Sequence, residues 1–273
     1  KTRAVDYSPS TTLVFFYCMN THSAVSISHL QKSYGSFKAV QDISLEIKPG
    51  EVFGVLGVNG AGKTTTLRML AGILTPTAGD ISIFGINLKD NPIEAKRICG
   101  YIPDRPYLYN KLTGREFLYF VSDLYQVPVK KAEENITRLL SEYKLTEWQF
   151  ELIESFSHGM KQRLATCAAL IHEPKLLIVD EPMVGLDPHG AKFLKAAFRR
   201  YASEGMTVLL STHSLNVAEE VADRLVIIDR GNIIAMGTLA EIRAQTSSNP
   251  LSEESLENLF LRLTGEDEQI SAA

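Results

Sequence analysis

Gly57-Val58-Asn59-Gly60-Ala61-Gly62-Lys63-Thr64 places glycine at its first and sixth positions and follows the second with Lys and Thr. It lies between an apolar run, Val52 to Leu56, with strand character, and a run from Lys63 to Ala71 with helical character. Strand, glycine-rich loop and helix in that order make a P-loop. The glycines let the chain turn tightly, so that the backbone N–H groups of Gly57, Asn59, Gly60, Ala61 and Gly62 can surround phosphate oxygens. The helix after the loop aims the positive end of its dipole at the same place. Lys63 would reach the β- and γ-phosphates of a nucleotide, and the Thr64 hydroxyl would hold Mg²⁺.

Upstream of this loop, strands are expected at Ala24 to Ser28 and Lys38 to Ile47, with turns at Tyr34-Gly35 and Pro49-Gly50, and downstream at Ile81 to Phe84. This opening reads as an antiparallel β layer. A helical insert is expected between about Asp104 and Phe156. Thr113 with Glu116, and Thr146 with Gln149, have capping-box spacing, and Phe117, Phe120, Val121 and Leu124 recur at helical period. Next come a helix from Ser157 to Ile171, a strand Leu176 to Val179, a helix opened by Asp187-Pro188, and strands at Thr207 to Leu210, Arg224 to Asp229 and Ile233 to Met236. Asp as N-cap with Pro at the first helical position marks a helix start. Apolar strands alternating with helices imply a parallel sheet covered on both faces. An amphipathic helix is expected at Leu256 to Leu263.

Composition narrows the function. The 273 residues are 45% hydrophobic with a net charge of −4, which gives ample core but no basic block for nucleic acid or a lipid surface. No run approaches the length of a membrane span. Cys18, Cys99 and Cys167 lack metal-ligand spacing and read as small hydrophobes in a reducing compartment. Residues 1–18 lack the periodicity seen in the rest of the chain and Met19 reads as the native start, so 1–22 is expected to be an N-terminal tail that carries upstream sequence ahead of Met19.

Asp180 and Glu181 leave the apolar strand Leu176 to Val179 at its carboxyl end, where ligands bind in open α/β sheets. One carboxylate there can hold Mg²⁺ and the next can orient an attacking water and take its proton. Phe156-Ser157-His158-Gly159-Met160 opens the preceding helix. Ser157 is a natural N-cap, and Gly159 permits close approach of another group. By itself that segment is an ordinary capped helix, His213 a strand-end histidine and Tyr34 a turn tyrosine.

The order of these segments resembles the ATP-binding cassette (ABC) family of ATPases, from about Ser23 to Gly237. The resemblance implies an α/β fold: a P-loop NTPase core with a mostly parallel sheet, an N-terminal antiparallel β layer and a helical insert. The corresponding divisions are an ABC ATPase domain at 23–240, with a helical subdomain at about 104–172, and a C-terminal helical extension at 241–273. Gly57 to Thr65 then matches Walker A, so Thr65 joins the nucleotide-binding set, and Leu176 to Glu181 matches Walker B. Phe156 to Met160 matches the signature, Asp187 the D-loop, His213 the switch histidine at the γ-phosphate, and Tyr34 the aromatic that stacks on adenine.

Two positions depart from the family pattern. Asp104 stands where the Q-loop glutamine is expected, retaining an oxygen for Mg²⁺ or its water on a shorter, charged side chain. The signature usually written LSGGQ is FSHGM, with His158 replacing a glycine while Ser157 and Gly159 remain. The resemblance implies ATP and Mg²⁺ as cofactors, Glu181 as general base, Lys63 and His213 at the γ-phosphate, and Thr64, Asp180 and Asp104 as the metal set. It further implies two cassettes, in a homodimer or heterodimer, that close head to tail on ATP. Ser157 and Gly159 of each would complete the other's site. The function this implies is the ATPase subunit of a transporter of the ABC-2 export type, on the cytoplasmic face of the membrane, with a separate permease and no nucleic-acid partner. A soluble ATPase of iron-sulfur cluster assembly is the alternative.

Overall fold

The computed structural model describes residues 23–183, 186–246 and 260. The tail 1–22 with Cys18, and Gly185 ahead of Asp187, lie outside the described residues.

Among the described residues, ten strands form one sheet in the order β5-β4-β1-β2-β10-β9-β3-β8-β7-β6. Its first part is antiparallel: β1 (Val25–Tyr34), β2 (Phe37–Ile47), β4 (Ala78–Ile83) and β5 (Ile86–Asn87). Along β2, Ile43, Leu45 and Ile47 are buried while Ser44 and Glu46 are exposed, the alternation of a sheet with one wet face. Its second part is parallel: β3 (Val52–Leu56), β6 (Cys99–Ile102), β7 (Leu176–Val179), β8 (Thr207–Thr212) and β9 (Arg224–Asp229). Every residue of β3, β7 and β8 is buried, as strands covered on both faces require. β10 (Asn232–Gly237) pairs antiparallel with β9 and touches β2 through a parallel pair, Asn232 with Asp42, joining the two parts.

The helices are α1 (Lys63–Leu70), α2 (Pro92–Arg97), α3 (Gly114–Leu124), α4 (Val129–Glu142), α5 (His158–Leu170), α6 (Pro188–Ser203), α7 (Leu215–Val221) and α8 (Leu239–Thr246). Thr113 forms the expected capping box with Glu116, each side chain bonded to the other's backbone N–H. The second expected box does not form. Thr146–Trp148 is a single 3₁₀ turn with no side-chain cap, and Gln149 instead donates its amide back to the Thr146 carbonyl at 2.8 Å. The segment is too short for an α-helix, so the side chain closes its own turn.

α5 is buried along its whole second half, Leu164 to Leu170. It packs between the helical insert, represented by Leu118, Ile136, Leu139 and Tyr143, and the sheet residues Leu177 and Val179. At its end, the His172 ring stacks on Tyr125 at 3.6 Å and bonds through Nε2 to the Cys99 carbonyl at 2.9 Å. Burial lowers the His172 pKa to about 4, an effect only partly opposed by that bond. Cys99 and Cys167 are free thiols in the core, as the lack of metal-ligand spacing suggests. Of the expected helix Leu256 to Leu263 only Phe260 is described; it is buried in one cluster with Leu56, Leu225, Ile227 and Ile242.

Candidate active site

β3 delivers the glycine loop to the carboxyl ends of the parallel strands. A Cβ on Gly57 would lie 2.4 Å from the Ile228 carbonyl oxygen on β9, so glycine is required there for the strand to turn beside its neighbour. Gly62 has φ +106, and a Cβ on it would lie 2.6 Å from the Ala39 carbonyl oxygen on β2. Gly62 is also the N-cap of α1 and supplies no side-chain cap, which leaves the first-turn amides of α1 open to an anion.

Lys63, only 5% exposed, turns its ammonium back onto the loop. Nζ donates to the Gly57 carbonyl at 2.7 Å and the Val58 carbonyl at 3.2 Å, and pairs with Glu181 Oε1 at 3.3 Å. The other Glu181 oxygen meets His213 Nδ1 at 2.9 Å. His213 is half exposed, so Glu181 bridges a buried cation and a side chain facing solvent. Glu181 itself adopts φ +47, a left-handed conformation that costs a side-chain-bearing residue roughly 1–2 kcal/mol. That turn comes two residues beyond the end of β7 at Val179.

Asp180 is fully buried. Its Oδ1 accepts from the Thr64 hydroxyl at 3.1 Å and from the Ser211 hydroxyl at 2.7 Å, while Oδ2 has no partner among the described residues. Burial pushes its carboxyl pKa up; the two hydroxyls oppose the shift and the neighbouring Glu181 charge adds to it. The Asp180 N–H donates to the Ile102 carbonyl at 2.8 Å, so β6 and β7 run side by side to the site. Asp104 comes two residues beyond Ile102 at the same sheet edge.

The structure thus brings Lys63, Thr64, Asp180, Glu181 and His213 together. Tyr34 lies at the tip of the β1–β2 hairpin, half exposed, with Lys32 Nζ 5.2 Å above its ring. Ser157 and Gly159 are elsewhere. Ser157 caps α5, accepting from the Met160 N–H at 3.3 Å, and both it and Gly159 line a cavity of about 430 Å³ with Asp187, the N-cap of α6, and with Gly190 and Phe193 of that helix. No P-loop residue lines that cavity. Sequence reasoning missed Ser211. Its signal was the Ser211-Thr212-His213 end of a buried strand, of which only the histidine was assigned.

Known proteins share the sequence and fold of this chain. The family described as "ABC transporter" matches residues 40–184. An uncharacterized ABC transporter ATP-binding protein, YxlF of Bacillus subtilis (strain 168), is 42% identical over 225 residues, covering 82% of this chain and 74% of its own. The linearmycin resistance ATP-binding protein LnrL of the same organism is 38% identical over 214 residues, covering 78% and 69%. A solved structure described as the ATP binding subunit of an ABC transporter superposes with a TM-score of 0.82 at 35% identity, covering 89% of this chain and all of the other.

Proposed function

The chain belongs to the ABC transporter family, and on that premise we propose that it binds and hydrolyses ATP to power an exporter, acting with a second ATPase subunit and a separate permease. The observation that carries this reading is the placement of Glu181. It is held between Lys63 and His213, directly beside the Thr64–Asp180 pair and the open end of α1.

The site is chemically suited to Mg²⁺. A buried carboxylate oxygen with nothing to accept is costly, and Asp180 Oδ2 is such an atom. Thr64 and Asp180 would hold the ion, with Asp104, two residues beyond β6, as a further oxygen donor, and the bound ion would neutralise charge on the β- and γ-phosphates. The chain's own residues do the rest. Lys63 now spends its ammonium on two loop carbonyls and Glu181; phosphate oxygens are stronger acceptors and would draw it away. Glu181 Oε1 is then free to accept a proton from water, while His213 keeps Oε2 and the side-chain orientation. Tyr34 offers a ring face for adenine. In Gly57 to Gly62, with Thr65 in the first turn of α1, successive amides would cradle the phosphates.

Ser157 and Gly159 line a cavity that no P-loop residue reaches, which supports a site completed by another subunit. The N-terminus of α5 carries roughly half an elementary positive charge and would face the γ-phosphate of a partner. ATP then acts as the glue of a dimer, and hydrolysis releases it. Among the described residues no helix is long and apolar enough to cross a membrane. A groove of about 360 Å³, lined by Ile73, Pro106, Tyr107, Phe117 and Tyr125, supports docking of a permease, since Ile73 and Tyr107 stand largely exposed there. On this reading the chain works at the cytoplasmic face of the membrane, held there by the permease. The linearmycin resistance relative supports export as the direction.

The test is steady-state MgATP hydrolysis by Glu181→Gln. General-base catalysis is worth roughly 10²–10⁴-fold, so turnover falls by that factor while ATP binding persists. Undiminished turnover would remove Glu181 as the base.

A further inference from the structure

β7 and β8 run parallel with Val179 opposite Leu210, and the ladder stops there. The next residue of β8, Ser211, is still paired on its other side with Val55 of β3, so its backbone is fixed. Its fully buried hydroxyl makes two bonds to the consecutive residues that leave β7. It donates to Asp180 Oδ1 at 2.7 Å and accepts from the Glu181 backbone N–H at 3.0 Å. A side chain therefore takes the amide bond that continued strand pairing would have given to backbone, at the residue where the chain turns to φ +47.

We propose that Ser211 is a positioning residue for the ATPase centre, a single hydroxyl that fixes the Asp180 carboxylate and the Glu181 turn relative to each other. The proposal rests on the ATPase reading given above for Asp180 and Glu181. The hydroxyl has one proton and uses it on Asp180. With Thr64 also donating to Oδ1, that oxygen is saturated and the free lone pairs of Asp180 are gathered on Oδ2. The acceptor side of the same oxygen anchors the Glu181 N–H, and through it the turn that presents the carboxylate to Lys63 and His213. Residues that orient metal-binding carboxylates from behind commonly contribute 10–100-fold to affinity or rate.

The chemistry predicts which replacements work. Threonine keeps the hydroxyl and suits a strand; alanine removes both bonds and leaves the Glu181 amide unsatisfied. Wild type, Ser211→Ala and Ser211→Thr are compared in three measurements: exchange of the Glu181 amide by NMR without nucleotide, Mg²⁺ enhancement of fluorescent ATP-analogue binding, and kcat with Mg²⁺ varied. Ser211→Ala should speed exchange of that amide by about tenfold, and raise the Mg²⁺ concentration for half-maximal effect by at least tenfold. It should also lower kcat by roughly a hundredfold, with affinity for metal-free ATP unchanged. Ser211→Thr should restore all three to within about threefold.

Ser211→Ala with normal Mg²⁺ dependence and normal exchange would overturn the proposal. So would a Ser211→Thr protein as defective as the alanine variant, which would make the site one of packing only. Loss of the apo fold in Ser211→Ala leaves the threonine comparison decisive. If wild type binds nucleotide without hydrolysing it, the ATPase reading fails, while the exchange and Mg²⁺-binding measurements still decide the role of Ser211.

Discussion

His172 sets an acid limit on stability that can be worked from its surroundings. Its ring is stacked on Tyr125 and its Nε2 bonds the Cys99 carbonyl, while Nδ1 is buried without a partner among the described residues. Burial withholds water from the charge that protonation would add, so the folded-state pKa falls from 6.5 to about 4, and the bond to the Cys99 carbonyl opposes this only in part. A depressed base favours the neutral form in the fold. Its contribution is therefore fully present above pH 6.5 and is lost as pH falls through that value toward 4, because the unfolded chain binds the proton first. At about 1.4 kcal/mol per pH unit, lowering the pH from 7 to 4.5 removes roughly 2–3 kcal/mol through this residue alone.

Phenylalanine at position 172 keeps the stack and cannot titrate. Urea unfolding at pH 7 and pH 4.5, monitored by the single tryptophan, Trp148, and by circular dichroism, gives the loss for each protein. Other carboxylates titrate in both, so the difference between the two losses isolates His172. His172→Phe should be somewhat less stable at pH 7, by about 1 kcal/mol for the lost Cys99 bond, yet lose about 2–3 kcal/mol less on acidification. Equal acid losses in the two proteins would refute the reasoning.

Gly57→Ala puts a methyl 2.4 Å from the backbone oxygen of Ile228, a contact no side-chain rotation relieves. Thermal and urea unfolding should show about 1–3 kcal/mol of destabilisation, and ATP-analogue titration should show weakened binding as the loop shifts. Asp180→Asn removes a buried carboxylate whose pKa is already raised, so at pH 7 the nucleotide-free protein should melt no lower than wild type while Mg²⁺ enhancement of nucleotide binding disappears. A drop in apo stability, or retained Mg²⁺ enhancement, would contradict the account of that residue.

The regions legible in sequence are those where local chemistry and burial agree. The glycine loop, the all-apolar Leu176–Val179 strand and the Asp187-Pro188 helix start were readable because few other structures suit those residues. The clustering of Lys63, Glu181 and His213 was legible only through the order of the motifs, since no local pattern links positions so far apart in the chain. Short elements escaped. α2, β6 and α7 span 4–7 residues, too few for a period to register, and their conformation is imposed by the strands and helices packed on them. The Thr146 capping box failed for the same reason in reverse, a correct cap spacing with no helix behind it. Ser211 was invisible because a hydroxyl at the end of a buried strand acquires its role from two neighbours on another strand.

The central claim is that the P-loop forms half of a site and that α5 of another subunit closes it. Light scattering on the 30.3 kDa chain with MgATP tests this directly, using Glu181→Gln to prevent turnover. The account predicts an ATP-dependent dimer for Glu181→Gln. It predicts a monomer with unaltered nucleotide affinity when Ser157→Arg is added, because Ser157 lines a cavity that its own P-loop does not reach and would meet the nucleotide held by the partner. ATP-driven dimers that survive Ser157→Arg, or loss of monomer nucleotide affinity in that variant, would contradict it.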